Sequence, residues 1–138
     1  MEEISLPTKT KIAAWWMIGI SIIFGCIGLG LVLLGIFLPP GTPDFRYYFF
    51  IIGIGIIIGC LIVFPPSLFL LKRKRWAWWF SIIILILALC PFLTQLLLTL
   101  PFFGFSWIHL FYIVVTVPLL FPLILLLLDR KNFWKIAT

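Results

Sequence analysis

The chain has 138 residues, of which 64% are hydrophobic and only 10% are charged, and its formal net charge is +6. A soluble domain is about half apolar and about a quarter charged, so this composition excludes a water-soluble globular protein. We expect an all-α integral membrane protein, since the length accommodates about four membrane-crossing helices of roughly 20 residues each. The predicted helices cover residues 12–38, 47–71, 76–100 and 106–128, within a single transmembrane domain over residues 1–138.

The first two predicted helices are rich in glycine. Gly25 and Gly28 lie in the first helix, and Gly55 and Gly59 form a GxxxG pair in the second. Small residues allow membrane helices to approach closely, where packing cannot depend on exclusion of water. We therefore predict that these two helices pack through Gly25, Gly28, Gly55 and Gly59.

Four consecutive cations, Lys72, Arg73, Lys74 and Arg75, separate the second and third predicted helices, and tryptophans follow them. Four crossings place both termini on the same side as these cations, so nine of the ten basic residues share one side. Basic loops mark the cytoplasmic side. The pattern predicts a plasma (inner) membrane protein with cytoplasmic termini, anchored by the four cations. Nucleic acid is an unneeded partner, whereas anionic lipid headgroups would add roughly 1 kcal/mol per basic side chain.

Gln95 and His109 are the strongly polar side chains of the third and fourth predicted helices. Gln95 is nineteen residues beyond Trp76, which corresponds to about 28 Å of helix, close to the far side of a hydrocarbon core about 30 Å thick. Counting back from the following turn places His109 near the same depth. Because an amide in this region prefers a partner to hydrocarbon, we predict that Gln95 and His109 form a polar pair.

Catalytic and metal-binding patterns do not emerge from the sequence. Asp, Glu, Lys and Arg are absent from the four predicted helices, and His109 has no acid near it in sequence to form a nucleophile–base arrangement. We expect no enzyme activity, no cofactor and no metal site. For His109 three interpretations stay open: a hydrogen-bonded or hydrated interfacial residue, a ligand to the haem or chlorophyll metal of a neighbouring chain, or a contact to a partner subunit or a quinone-like lipid.

Two local matches indicate an internal repeat. Residues 9–16 match residues 72–79, and residues 64–74 match residues 121–131. The matches favour two tandem helical hairpins of the same orientation, a known membrane architecture. The alternative is that the composition rules of the membrane interface generate both matches without repetition.

The L-x-R-x-R-W-A-W-W pattern that ends at Trp79, and the leucine run closed by residues 129–131, resemble segments of many small uncharacterised multi-pass membrane proteins of prokaryotes. This resemblance implies a four-helix plasma-membrane protein and brings no catalytic residues. From the scarcity of residues outside the membrane we expect a non-catalytic accessory or structural subunit of a larger membrane complex, in contact with partner membrane subunits and the bilayer. The alternative is a small homo-oligomeric transporter or channel for an apolar or lipid-like solute.

Overall fold

The structure is a computed structural model that describes residues 6–39, 43–104 and 106–138. The helices of this part of the chain are α1 (Thr8–Phe37), α2 (Pro43–Leu71), α3 (Arg75–Phe103), α4 (Trp107–Leu128) and α5 (Arg130–Ile136). The first four are long and apolar enough to cross a membrane, which confirms the predicted all-α fold with four spans. Residues 1–5, 40–42 and 105 lie outside the described residues.

The first three helices are longer than predicted, whereas α4 begins one residue later than predicted. α1 has 30 residues and is therefore about 45 Å long, well above the roughly 30 Å of the hydrocarbon core. Its first turn includes Lys9 and Lys11, whose side chains are compatible with a helix but lie outside the apolar run that predicts a start at residue 12. The short helix α5 was not predicted, because seven residues with three cations give no membrane signal.

Proline, glycine and one strained arginine set the helix ends. α1 ends two residues before Pro39, and α2 begins at Pro43, a position where the missing N–H and fixed φ of proline fit a helix start. After α2 the backbone turns at Arg73, whose φ is 61°. The N–H groups of Arg73 and Lys74 then donate to the carbonyls of Leu70 (3.0 Å) and Phe69 (3.1 Å). This bonding is the Schellman end of a helix, with arginine where glycine is usual.

The chain divides into two compact units, and each is described by itself. One unit, Met17–Pro65, contains most of α1 and α2 packed as a hairpin. The other, formed by Met1–Trp16 and Pro66–Thr138, contains the α3–α4 hairpin together with α5. These hairpins are the ones a tandem repeat requires, while the repeat itself stays a prediction.

Most of the largest buried side chains of the larger unit lie near one end of it. Its largest fully buried side chains include Leu70, Trp78, Leu126 and Phe133, which lie near the end of α2, the start of α3 and the α4–α5 junction. Many apolar side chains farther along the helices are exposed, and they form the surface that contacts the bilayer.

Candidate functional site

The α1–α2 hairpin is held together by a close approach of Gly28 and Gly53. A Cβ atom added at Gly53 would lie 2.7 Å from the Gly28 carbonyl oxygen and 2.8 Å from the Val32 backbone nitrogen. Any larger residue at position 53 would therefore separate the helices. At Gly25, Gly55 and Gly59, apart from the local backbone and the two adjacent residues, no described atom lies within 4 Å of an added Cβ. Of the four glycines named from the sequence, the structure places Gly28 at the helix contact and Gly25, Gly55 and Gly59 away from it. The crossing of the helices selects a face that glycine spacing alone does not identify.

Arg46 closes the end of this hairpin. Its Nε donates to the Gly35 carbonyl at 2.9 Å and its Nη2 to the Ile36 carbonyl at 3.2 Å. In a helix these carbonyls would accept from the residues four positions later, which are Pro39 and Pro40 and have no N–H. The guanidinium thus supplies both donors that the prolines withhold, and its positive charge suits the negative end of the α1 dipole.

In the larger unit, Trp16 likewise donates a hydrogen bond to a carbonyl that a proline leaves without a helical partner. Pro122 in α4 has no N–H to offer the Pro118 carbonyl, and the indole Nε1 of Trp16 donates to that carbonyl at 3.0 Å. The Trp16 ring also packs on Phe121, with a centroid distance of 4.8 Å. The start of α1 is therefore attached to α4 at the position where α4 lacks an internal hydrogen bond.

A buried carboxylate joins the start of α1 to the end of α4. Asp129 is 2% exposed, and its Oδ2 accepts from the Thr10 N–H at 2.9 Å and from the Thr10 hydroxyl at 2.8 Å. Asn132 donates to Oδ1 at 3.1 Å. The Thr10 N–H belongs to the first turn of α1, where backbone donors lack partners within the helix. Asp129 thus acts as an N-terminal cap supplied by a distant part of the chain.

The last described residues attach to the basic turn between α2 and α3. The Thr138 N–H donates to the Arg73 carbonyl at 3.0 Å, and the Arg75 N–H donates to the Thr138 carbonyl at 3.1 Å. Arg75 Nε also donates to the Ala137 carbonyl at 3.2 Å. These bonds hold α5 and its cations next to the four cations that the sequence identified as an anchor.

Aromatic rings lie directly under these cations. Trp78 and Trp134 are in edge-to-face contact at 6.0 Å, and Trp79 contacts Trp78 at 5.1 Å. The Arg75 guanidinium lies 5.3 Å from the Trp134 ring centroid, within the range of a cation–π interaction. Since tryptophan is enriched at the membrane interface, this cluster indicates the depth of the basic end.

His109 is 1% exposed and forms the capping structure of α4. The Ser106 N–H donates to Nδ1 at 3.1 Å, which requires Nδ1 to be unprotonated and places the ring proton on Nε2. Nε2 therefore donates to the Thr99 hydroxyl at 2.9 Å, and that hydroxyl donates to the Gln95 carbonyl at 2.7 Å. Both ring nitrogens are engaged within the chain, which leaves neither of them available to a metal in this conformation.

The predicted partner of His109 is connected to it in a different way. Gln95 takes part through its backbone carbonyl, by way of Thr99, while its amide side chain is exposed. The hydroxyl of Thr99, which is four residues closer to the turn than Gln95, reaches His109 instead. The polar spot at the α3–α4 turn thus consists of Ser106, His109 and Thr99.

Within the described residues no group of three or more His, Cys, Asp or Glu side chains could hold a metal ion. Comparison of the chain with protein-family models, curated proteins and solved structures found no match.

Sequence reasoning missed the structural roles of four residues: Thr10, Trp16, Arg46 and Asp129. The roles of Trp16 and Arg46 relate to a pattern that is present in the sequence. A proline has no N–H, so the carbonyl four residues earlier lacks its helical donor. Pro39, Pro40 and Pro122 therefore mark Gly35, Ile36 and Pro118 as acceptors. Nothing in the sequence names the donors, which come from elsewhere in the chain.

Proposed function

We propose that the protein is a non-catalytic structural subunit that assembles with other membrane proteins through the exposed face of α2. The observation that carries this proposal is the GxxxG pair Gly55 and Gly59. Both glycines are exposed, and apart from the local backbone and the adjacent residues no described atom lies within 4 Å of a Cβ added to either. The hairpin uses Gly28 and Gly53 for its own contact, so the GxxxG pair is free to receive another helix.

A second feature supports assembly. The side chain of Gln95 is exposed within the span Arg75–Phe102. Amides in membrane helices hydrogen-bond across helix contacts, typically for about 0.6 to 2 kcal/mol. A neighbouring subunit would supply a partner for this amide that the described chain does not.

Several polar side chains of the larger unit hydrogen-bond within the protein, either to cap a helix or to the carbonyl one turn earlier. Asp129 caps α1, and His109 caps α4. The hydroxyls of Thr94 and Thr116 donate to the carbonyls one turn earlier in their own helices. This use of polar residues suits a structural role, in which rigid helices present fixed surfaces to neighbours.

The test is to solubilise native membranes with a mild detergent and to determine the size and composition of the particle that contains the protein. We expect the wild-type chain in a heteromeric complex, and we expect Gly59→Leu to release it, because leucine would prevent close approach at α2. Gly19→Leu is the matched control, since Gly19 is also open but has no glycine four residues away.

Three outcomes would contradict the proposal. The wild-type protein could run alone as a small oligomer, as a homo-oligomeric transporter or channel for an apolar solute would. It could run as a monomer. Finally, Gly59→Leu and Gly19→Leu could behave alike, which would remove α2 from the contact.

A further inference from the structure

Nine cations lie at one end of the larger unit, contributed by three separate segments of the chain. They are Lys9, Lys11, Lys72, Arg73, Lys74, Arg75, Arg130, Lys131 and Lys135. The Thr10–Asp129 hydrogen bonds hold the first segment against the third. The pairing of Thr138 with Arg73 and Arg75 holds the third against the second. We call these nine residues the basic face.

The basic face has little negative charge of its own. Asp129 is the only acidic residue in the described part of this unit, and its carboxylate is buried under Thr10 and Asn132. Of the nine cations, all but Arg73 are exposed. We propose that the basic face binds the phosphate groups of anionic lipids, holding a shell of such lipids around this end of the protein.

The depth of the face favours lipid phosphate as the ligand. Trp78, Trp79 and Trp134 form a cluster immediately under the cations, and tryptophan lies at headgroup level. Arg75 stacks on Trp134, and the Lys72 ammonium lies 5.5 Å from the Phe69 ring centroid. The aromatic rings therefore hold charged groups next to the layer in which lipid phosphates lie.

Joining the three segments is what turns a basic end into a binding surface. Cations on separate loops could each contact a headgroup, but the tail pairing at Thr138 and the cap at Asp129 fix their spacing. Each cation near an anionic membrane surface contributes about a factor of five in affinity. The inference is independent of the proposed assembly through α2, which involves the other unit.

Native mass spectrometry of the full-length protein in mild detergent tests the proposal. The protein is titrated separately with phosphatidylglycerol and with phosphatidylcholine of the same acyl chains, and bound lipids are counted. We expect phosphatidylglycerol to bind at least about five-fold more tightly. In a volatile salt at about 1 M, where the Debye length falls to about 3 Å, this preference should disappear.

The variant that locates the site carries five neutral substitutions: Lys72→Gln, Lys74→Gln, Arg130→Gln, Lys131→Gln and Lys135→Gln. We expect its preference for phosphatidylglycerol to fall by about five-fold or more, although Lys9, Lys11, Arg73 and Arg75 remain. The matched control replaces the four lysines among these residues with arginine and should keep the preference. Circular dichroism checks that both variants keep their helices. If the neutral variant does not fold, the salt titration of the wild-type protein tests the proposal instead.

Equal binding of the two lipids by the wild-type protein would overturn the proposal. A preference that is as large in the neutral variant as in the wild-type protein would also overturn it, since the anionic lipid would then bind elsewhere. Displacement of the bound lipid by excess inorganic phosphate would identify soluble phosphate as the ligand, which contradicts a lipid site.

Discussion

Asp129 Oδ2 accepts two hydrogen bonds from Thr10, one from its backbone N–H at 2.9 Å and one from its hydroxyl at 2.8 Å, although the residues are 119 positions apart. The carboxylate lies at the start of α1, where the helix dipole favours negative charge. This single side chain therefore caps the N-terminus of α1 and joins the segment around Thr10 to the segment around Asp129. It also fixes the positions of the cations on both segments.

Removing this carboxylate should destabilise the protein. In Asp129→Ala the buried N–H and hydroxyl of Thr10 lose their acceptor, and we expect a loss of about 2–3 kcal/mol in unfolding free energy. Unfolding in mixed micelles of increasing denaturing-detergent content measures it. Asn132→Ala removes only the exposed donor to Oδ1 and should cost less than about 1 kcal/mol. Equal effects of the two substitutions would contradict the capping role.

The indole N–H of Trp16 should contribute to stability only when residue 122 is proline and has no N–H to donate to the Pro118 carbonyl. Trp16→Phe keeps an aromatic ring near Phe121 but loses the bond to the Pro118 carbonyl, at a cost of about 0.6 to 2 kcal/mol. In a Pro122→Ala background the new N–H bonds that carbonyl, so the same substitution should cost nearly nothing. A double-mutant cycle measures the difference, and purely additive effects would refute this account. Trp15→Phe is the control, because Trp15 is 57% exposed.

Gly53 and Gly55 of α2 should respond differently to added volume. Gly53→Ala places a Cβ against the Gly28 carbonyl and should destabilise the α1–α2 hairpin by about 1–3 kcal/mol. Gly55→Ala adds a methyl group in open space and should change stability by less than about 0.5 kcal/mol. Detergent-induced unfolding of both variants decides this, and a larger effect at Gly55 would show that the helices meet on a different face.

Arg46 should stabilise the hairpin through its hydrogen bonds as well as its charge. Arg46→Gln removes the bonds to Gly35 and Ile36 and should cost about 1–3 kcal/mol, the range for hydrogen bonds to a charged donor. Arg46→Lys keeps the charge but cannot reproduce the paired donors, so we expect an intermediate loss. If lysine substitutes fully in the unfolding measurement, charge alone accounts for the effect.

The tautomer of His109 can be measured by NMR. The bond from the Ser106 N–H requires neutral imidazole with its proton on Nε2, and nitrogen-15 NMR of labelled histidine should show that form. Thr99→Val removes the hydroxyl that accepts this proton and should cost about 0.6 to 2 kcal/mol. Gln95→Leu alters only an exposed side chain and should leave the imidazole spectrum unchanged. A proton on Nδ1 would contradict the described network.

The tandem matches predict similar environments for matched residues, but Trp15 and Trp78 differ. Trp15 is 57% exposed, while Trp78 is 1% exposed and packs on Trp134. The local sequence around each tryptophan is alike, so the difference arises from α5, which covers the start of α3. Sequence matches thus predict the helices of a hairpin better than they predict which side chains the hairpin buries.

The sequence by itself determined the class and the spans of this protein. Long apolar runs can satisfy their backbone groups in lipid only as helices, so hydrophobicity, proline and glycine were enough to place α1 to α4 within a few residues. The tertiary structure decided which groups meet across the chain. Gly53 rather than Gly55 contacts Gly28, and Thr99 rather than the Gln95 amide reaches His109. Such choices depend on the rotation and crossing of helices, which spacing along one helix does not encode, because a lipid-facing position and a helix-facing position have the same apolar composition.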